Sequence, residues 1–285
     1  MIERLAWVTT REARGRDEDE PMALAALQAT GVAVDVVDWD DPEVDWSHFD
    51  RIVLRSAWDY PQRLTEFLAW LEKADAVTEV VNPPAMVRWS LDKQYLAELA
   101  EAGVPITPTV FVRPGTAVTF PDGEFVIKPA VGAGSRDVAT YGPDQQEIAR
   151  AHVARLHASG QVVLVQPFLH STTTEGEWPM VFFDGQFSHA ASKQVAVPRG
   201  EVIDDLFAPE TNTEHTATAE QIEAARGALD AVSRRLGTPT YARVDLVRDD
   251  AGKFCVLEVE LIEPSLFLPF TGPAAAATLA AALVR

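Results

Sequence analysis

Asp245, Glu258 and Glu260 fall in two short segments, Tyr241-Ala-Arg-Val-Asp-Leu-Val and Phe254-Cys-Val-Leu-Glu-Val-Glu-Leu, whose alternation reads as neighbouring strands. In extended backbone Arg243 and Asp245 share one face, with Ala242, Val244 and Leu246 on the other. Glu258 and Glu260 likewise share a face, and Cys255, Leu257, Val259 and Leu261 are expected to form its apolar reverse. Acids gathered on adjacent strands repel unless a cation lies between them, and an oxygen-liganded Mg²⁺ answers that need. Upstream, Phe125-Val-Ile-Lys-Pro-Ala-Val-Gly-Ala-Gly-Ser supplies a strand, Lys128 at its end, and a loop of backbone N–H groups suited to phosphate. No Gly-Lys-Ser/Thr follows, so this is not a Walker A loop. A metal beside a phosphate cradle predicts a nucleotide.

The elements that must position these residues fall into three sections. From Leu5 to about Asn82, strands at Leu5–Thr9, Val32–Val37 and Arg51–Arg55 alternate with helices at Pro21–Ala29 and Thr65–Lys73, a small parallel α/β sheet closed by the Asn82-Pro-Pro turn. A single helix is expected over 85–102, stopped by Gly103-Val-Pro. An α+β unit follows, with strands at Phe111, Lys128 and Val162–Gln166 and a helix over 144–158. Then come a hairpin turning at Asp184-Gly185, a helix over 219–236, the two acidic strands, and an Ala-rich terminal helix from Ala274. The fold class is therefore α/β followed by α+β.

The bulk composition narrows the function. A chain of 285 residues with 47% hydrophobic content can bury a large core. A net charge of −19, from 24 Lys and Arg against 43 Asp and Glu, argues against a nucleic-acid partner. No apolar run approaches the roughly 20 residues that span a bilayer, so no membrane partner is expected and the cytoplasm is the default location. The single cysteine, Cys255, excludes intramolecular disulfides and reads as a small buried hydrophobe. The histidines show no paired metal spacing, with His189 the one to watch, and no Gly-x-Ser-x-Gly elbow is present. Asp17-Glu-Asp-Glu20 reads as a solvated acidic helix start.

Four segments, taken in order, resemble the ATP-grasp superfamily: Leu91-Asp-Lys-Gln, Phe125 to Ser135, Val162-Val-Leu-Val-Gln-Pro-Phe-Leu, and Arg243-Val-Asp followed by Leu257-Glu-Val-Glu-Leu-Ile-Glu-Pro. The similarity extends over nearly the whole chain. It implies an N-terminal Rossmann-like substrate-side domain over 1–84, a central ATP-grasp lobe with the glycine loop over 85–168, and a C-terminal lobe with the metal site over 169–285. Members hold ATP between two α+β lobes, phosphorylate a carboxylate, and pass the acyl phosphate to an amine or similar nucleophile.

Carried onto this chain, the resemblance assigns Lys93 and Lys128 to the ATP phosphates, where lysine serves as a compact point charge. Gly132, Gly134 and Ser135 match the phosphate-covering loop. Gln166, Phe168 and Leu169 match the adenine hinge, in which Pro167 removes one donor, and many relatives have glutamate where Gln166 stands. Glu177 matches the acidic ribose or magnesium-side position. Asp245, Glu258 and Glu260 match the Mg²⁺ ligands, although many members end in Glu-x-Asn rather than Glu-x-Glu, and either Glu260 or Glu263 is the outer ligand. Arg243 then stabilises the transferred phosphoryl group, and Lys128 assists catalysis.

On the substrate side, Leu54-Arg-Ser-Ala-Trp-Asp-Tyr follows a strand, where α/β sheets place ligand contacts. Arg55 is expected to clamp a carboxylate, Ser56 and Asp59 to orient an amino or hydroxyl group, and Trp58 or Tyr60 to wall the pocket. Lys193 is expected to reach a phosphate or substrate carboxylate, and Arg199 lies in a loop expected to close over substrate. This segment and the Glu-Val-Glu-Leu-Ile-Glu-Pro-Ser ending look most like a glutathione-synthetase-like branch that includes the cyclo-ligases closing O-ureido-D-serine to D-cycloserine. The leading expectation is an ATP- and Mg²⁺-dependent carboxylate–amine ligase for a small amino-acid-like substrate. The alternatives are an intramolecular cyclo-ligase, a kinase-like protein that stops at phosphorylation, and a non-catalytic nucleotide binder. The partners are a small-molecule carboxylate and its nucleophile, with a homodimer left open.

Overall fold

The computed structural model describes residues 2–205 and 209–285. Its first section contains β1 (Arg4–Thr9), α1 (Glu20–Ala29), β2 (Ala33–Asp38), β3 (Arg51–Ser56), α2 (Leu64–Asp75) and β4 (Glu79–Val80). The strands form a parallel sheet in the order β2-β1-β3-β4. After their first residue β1 and β3 are buried throughout, which accounts for their unbroken apolar runs. The chain leaves β1 toward β2 on one side and returns to β3 on the other. The strand order thus reverses between β1 and β3, and the loops that follow them face the rest of the molecule.

The helix expected over 85–102 is two helices, α3 (Pro84–Leu91) and α4 (Tyr95–Glu101). Asp92 is extended (φ −110°, ψ 107°) and bridges Val131, while the Lys93 N–H donates to the Ala130 carbonyl at 2.9 Å. Pairing with the segment after the Lys128 strand overrides local helix propensity and turns Lys93 toward the glycine loop.

The second sheet contains β5 (Val110–Val112), β6 (Phe125–Pro129), β7 (Ala139–Tyr141) and β8 (Val163–Pro167), ordered β5-β8-β6-β7 and antiparallel. It is covered by α5 (Gln146–Ala158) through Ala149, Val153 and Leu156. The third sheet, β11-β10-β9-β12-β13, follows the short α6 (Ser171–Thr174). It comprises β9 (Trp178–Phe183), β10 (Gln186–Val195), β11 (Glu210–His215), β12 (Tyr241–Arg248) and β13 (Phe254–Glu260), with α7 (Ala219–Leu236) against β12 and β13. The β9–β10 hairpin turns at Asp184 and Gly185, both at positive φ (48° and 72°), as a two-residue turn of primed type requires. A reciprocal Thr218–Gln221 capping box starts α7 where the sequence pattern begins.

Two connections bind the sections together. The last helix, α8 (Pro273–Leu283), shares a core cluster with Leu5, Trp7, Ala23, Leu27 and Val53 of the first section and with Val181, Phe183 and Tyr241 of the third sheet. Buried Asn82 donates through Nδ2 to the Tyr241 and Leu261 carbonyls and accepts the Thr240 N–H. Among the described residues no helix is long and apolar enough to cross a membrane.

Candidate active site

The acidic strands pair so that Asp245 lies opposite Glu258 and Arg243 opposite Glu260. The register shifts next to Asp245, leaving Leu257 as the extra residue of a β-bulge. This corrects the expected apolar reverse. Val259 and Leu261 join Val256 in the core beneath the sheet, whereas Leu257 lines the open cleft beside Glu258. Cys255 is buried with Leu169 and Val247 in a separate small cluster. The bulge places an apolar floor and an acid side by side, which strict alternation cannot do.

Within this arrangement the protein's own cations pair with the acids. Buried Arg243 donates from Nε and Nη2 to the two oxygens of Asp245 at 2.7 and 2.8 Å, and from Nη2 to Glu260 at 2.5 Å. Lys93 Nζ lies 2.9 Å from Glu258 Oε1 and donates to the Gly132 carbonyl at 2.8 Å. Burial opposes ionisation of Glu258, yet Lys93 and Lys128 outweigh it and hold the carboxyl below its ordinary range. At Glu260 burial wins over Arg243 and raises the pKa. Burial, reinforced by Glu260, pushes Glu263 up to about 8. Lys128 is depressed mainly by burial. Asp245, Glu258 and Glu260 offer oxygens within 4.8 Å of one another, a hard anionic donor set that fits Mg²⁺.

Two cavities meet at Glu258. The larger, about 570 Å³, is lined at one end by Lys93, Lys128, Gly132, Gly134 and Ser135, and at the other by Gln166, Phe168, Leu169 and Leu257. Gly134 takes φ +62°, a conformation that favours glycine, and a Cβ on Gly132 would press on Pro129 Cγ at 3.2 Å. Gln166 is buried and donates from Nε2 to Thr109 Oγ1 at 2.8 Å. The Phe168 N–H is taken by the Glu124 carbonyl at 2.8 Å, so Phe168 does not offer the hinge donor expected of it, whereas no partner among the described residues engages the Leu169 N–H. Glu177 and Lys193 face each other across a reciprocal backbone bridge, and their side chains pair at 2.8 Å on the cleft wall.

The smaller cavity, about 90 Å³, is lined by Trp58, Tyr60, Ser90, Glu263, Ser265 and Phe267 together with Lys93, Lys193, Arg243, Glu258 and Glu260. Several expected substrate residues lie elsewhere. Arg55 is fully buried between the Trp7 and Tyr241 rings and bonded to the Pro264 carbonyl and Asp19. Ser56 donates to Thr9 Oγ1, tying β3 to β1. Asp59 accepts from Trp39 Nε1 and Arg63 Nη1 on another surface. Arg199 is half exposed on the outside of the second sheet, paired with Glu124 and Asp144. Of the turn and short helix beyond β3, it is Trp58 and Tyr60 that reach the small cavity. His189 is held by the Leu266 carbonyl and Ser188, away from the acids.

Phe267 was invisible to pattern reading. It adopts φ +55°, rare for an aromatic residue, lines the small cavity, and sits 5.7 Å from the Arg243 guanidinium. Asp17 and Asp19 also depart from expectation, because both are buried rather than solvated. Asp19 accepts the Leu266 and Leu268 N–H groups and so anchors the loop that carries Glu263, Ser265 and Phe267.

A family profile described as the N-terminal domain of D-cycloserine synthetase DcsG matches residues 5–82. The cycloserine biosynthesis protein DcsG of Streptomyces lavendulae is 41% identical over 281 residues, covering 94% of this chain and 93% of that protein. The chain belongs to the DcsG family of ATP-grasp ligases. A crystal structure of D-cycloserine synthetase DcsG superposes with a TM-score of 0.90 at 40% identity, covering 98% of each chain. D-alanine–D-alanine ligase from Bacillus anthracis shares the fold at TM-score 0.66 and 16% identity, over 99% of this chain and 96% of that one. The residues matched by that profile contribute Trp58 and Tyr60 to the smaller cavity, whereas the larger is lined by residues 93–258 alone.

Proposed function

We propose that the protein uses Mg²⁺ and ATP to convert a small amino-acid-like carboxylate to an acyl phosphate, which a nitrogen nucleophile then captures with release of phosphate. The observation that carries this reading is that the two cavities share Lys93, Lys193, the Gly132–Ser135 loop and Glu258, with Arg243 and Glu260 on the small-cavity side and Asp245 within reach of both glutamates. The larger cavity suits a nucleotide, and the smaller suits only a small acceptor. Asp245, Glu258 and Glu260 would hold Mg²⁺, which supplies neutralisation of phosphate charge when bound. Lys128 and the Gly132–Ser135 loop bind the phosphates. Arg243, held in place by Asp245 and by the Ser265 carbonyl at 3.1 Å, presents positive charge to the phosphoryl group as it transfers. Gln166, Leu257 and the Leu169 N–H would hold the base.

Ring closure is the form of the reaction that we favour, with O-ureido-D-serine as substrate. Its oxygen-bound nitrogen attacks the acyl phosphate and expels phosphate, and hydrolysis of the N-carbamoyl group to CO2 and ammonia completes D-cycloserine. The support for ring closure is the role in cycloserine biosynthesis that the name of the 41% identical relative carries. The test is ADP and phosphate release from Mg²⁺-ATP with O-ureido-D-serine alone and with added amines. Release without an added amine supports ring closure. Release only with an amine supports intermolecular ligation, and ATP binding without release under either condition overturns both.

A further inference from the structure

The Asp17–Asp19 stretch follows β1, and Trp58 follows β3, so both stand at the edge where the parallel sheet reverses its strand order. Sheets of this kind bind ligands in that crevice. A cleft of about 230 Å³ opens there, lined by Asp17 and Asp19, and it shares Trp58, Glu210, Ser265 and Phe267 with the small cavity at Arg243. Asp17 is 7% exposed. Its Oδ1 accepts the Asp19 N–H at 3.0 Å, but its Oδ2 has no hydrogen-bond partner among the described residues. The neighbouring Arg55 bonds Asp19 and the Pro264 carbonyl through Nη2 alone, and it acts on Asp17 by charge without a hydrogen bond to it. A buried carboxylate oxygen left without a donor costs free energy unless something supplies one.

We infer that Asp17 is the subsite for the substrate's ammonium group, binding it through Oδ2 while the substrate carboxylate lies in the adjoining cavity at Arg243. This deepens the proposed function and rests on it, because it requires an amino-acid-like substrate. A small amino acid presents a cation within a few bonds of its carboxylate, which matches an anionic subsite continuous with a phosphoryl-transfer site. Trp58, common to both cavities, walls the passage between them. Asp19 has a different role, since both its oxygens are already engaged by the Leu266 and Leu268 N–H groups.

The test is calorimetric titration of the Mg²⁺–ADP-loaded protein with O-ureido-D-serine and with its N-acetyl derivative, in wild type and Asp17→Asn. Asparagine keeps the Oδ1 acceptor for the Asp19 N–H, and Asp17→Ser is a second variant that retains a side-chain acceptor there. Loss of a charge-assisted hydrogen bond predicts binding of the free amine weakened about tenfold or more in either variant, with the N-acetyl compound unchanged. Equal weakening of both compounds, no weakening of either, or no binding of the free amine to wild type overturns the assignment. ADP release measured on the same samples separates the two readings. Turnover without the amine-specific loss leaves the ligase and removes the subsite, whereas amine-specific loss without turnover leaves the subsite and removes the ligase.

Discussion

Arg243 and Glu260 face each other across β12 and β13, and the guanidinium reaches the carboxylate at 2.5 Å while holding Asp245 with the same Nη2. One buried cation therefore occupies the position between acids that a divalent ion would also satisfy. A divalent ion held by Asp245, Glu258 and Glu260 would compete with Arg243 for these oxygens and leave more of its charge for the phosphoryl group. Arg243→Met is expected to reduce the rate of ADP release about 10²–10³-fold. Nucleotide affinity should change little, and nucleotide titration beside steady-state kinetics separates the two effects.

Asp245→Asn and Glu258→Gln each remove one charge from the proposed ligand set. A ligand that binds only the folded state stabilises it in proportion to the logarithm of its concentration over Kd. Wild type should therefore gain thermal stability from Mg²⁺-ATP beyond that from ATP with EDTA, and both variants should lose that increment. An undiminished increment in both would remove the metal assignment.

The pH dependence of stability follows from Glu263. Burial raises it from an ordinary 4.5 to about 8, so between these values the folded protein binds a proton that the unfolded chain has released. Stability from this group is complete below about pH 4.5 and declines as pH rises through about 8. Denaturant melts of the nucleotide-free protein at pH 6 and pH 8.5 should show the loss, and Glu263→Gln should flatten the difference.

Asn82 bonds three backbone groups of the third sheet and adopts φ 57°. Asn82→Ala should cost about 3 kcal/mol, from buried groups left unpaired and a left-handed backbone without its favoured residue. Urea unfolding is the measurement, and a loss below about 1 kcal/mol would show that water replaces the side chain.

What the sequence disclosed, and what it hid, divides along the range of the interactions. The span of α7 is written in its capping box and apolar period, and the β9–β10 turn in Asp184-Gly185. The shared face of Arg243 and Asp245 follows from alternation alone. The break at Lys93 was hidden because its cause, the Ala130 carbonyl, lies in a distant strand connection. The bulge at Leu257 breaks the same alternation that identified the strand. Arg55 has the residue type of a carboxylate clamp, but its burial depends on Trp7, Tyr241 and Pro264, which one segment does not reveal. Asp17 and Asp19 looked like solvent-facing charge for the same reason, since the loop that buries them comes from near the other end of the chain.

The packing of α8 against Leu5, Trp7 and Val53 bears on how the protein is made. Domains commonly fold in the order in which they leave the ribosome. Here the sheet translated first shares its apolar cluster with a helix translated after every strand of the other two sheets. During synthesis that surface waits without its cover, a natural place for a chaperone to hold the nascent chain. Completion of the first section is thereby tied to arrival of the segment that follows the catalytic strands.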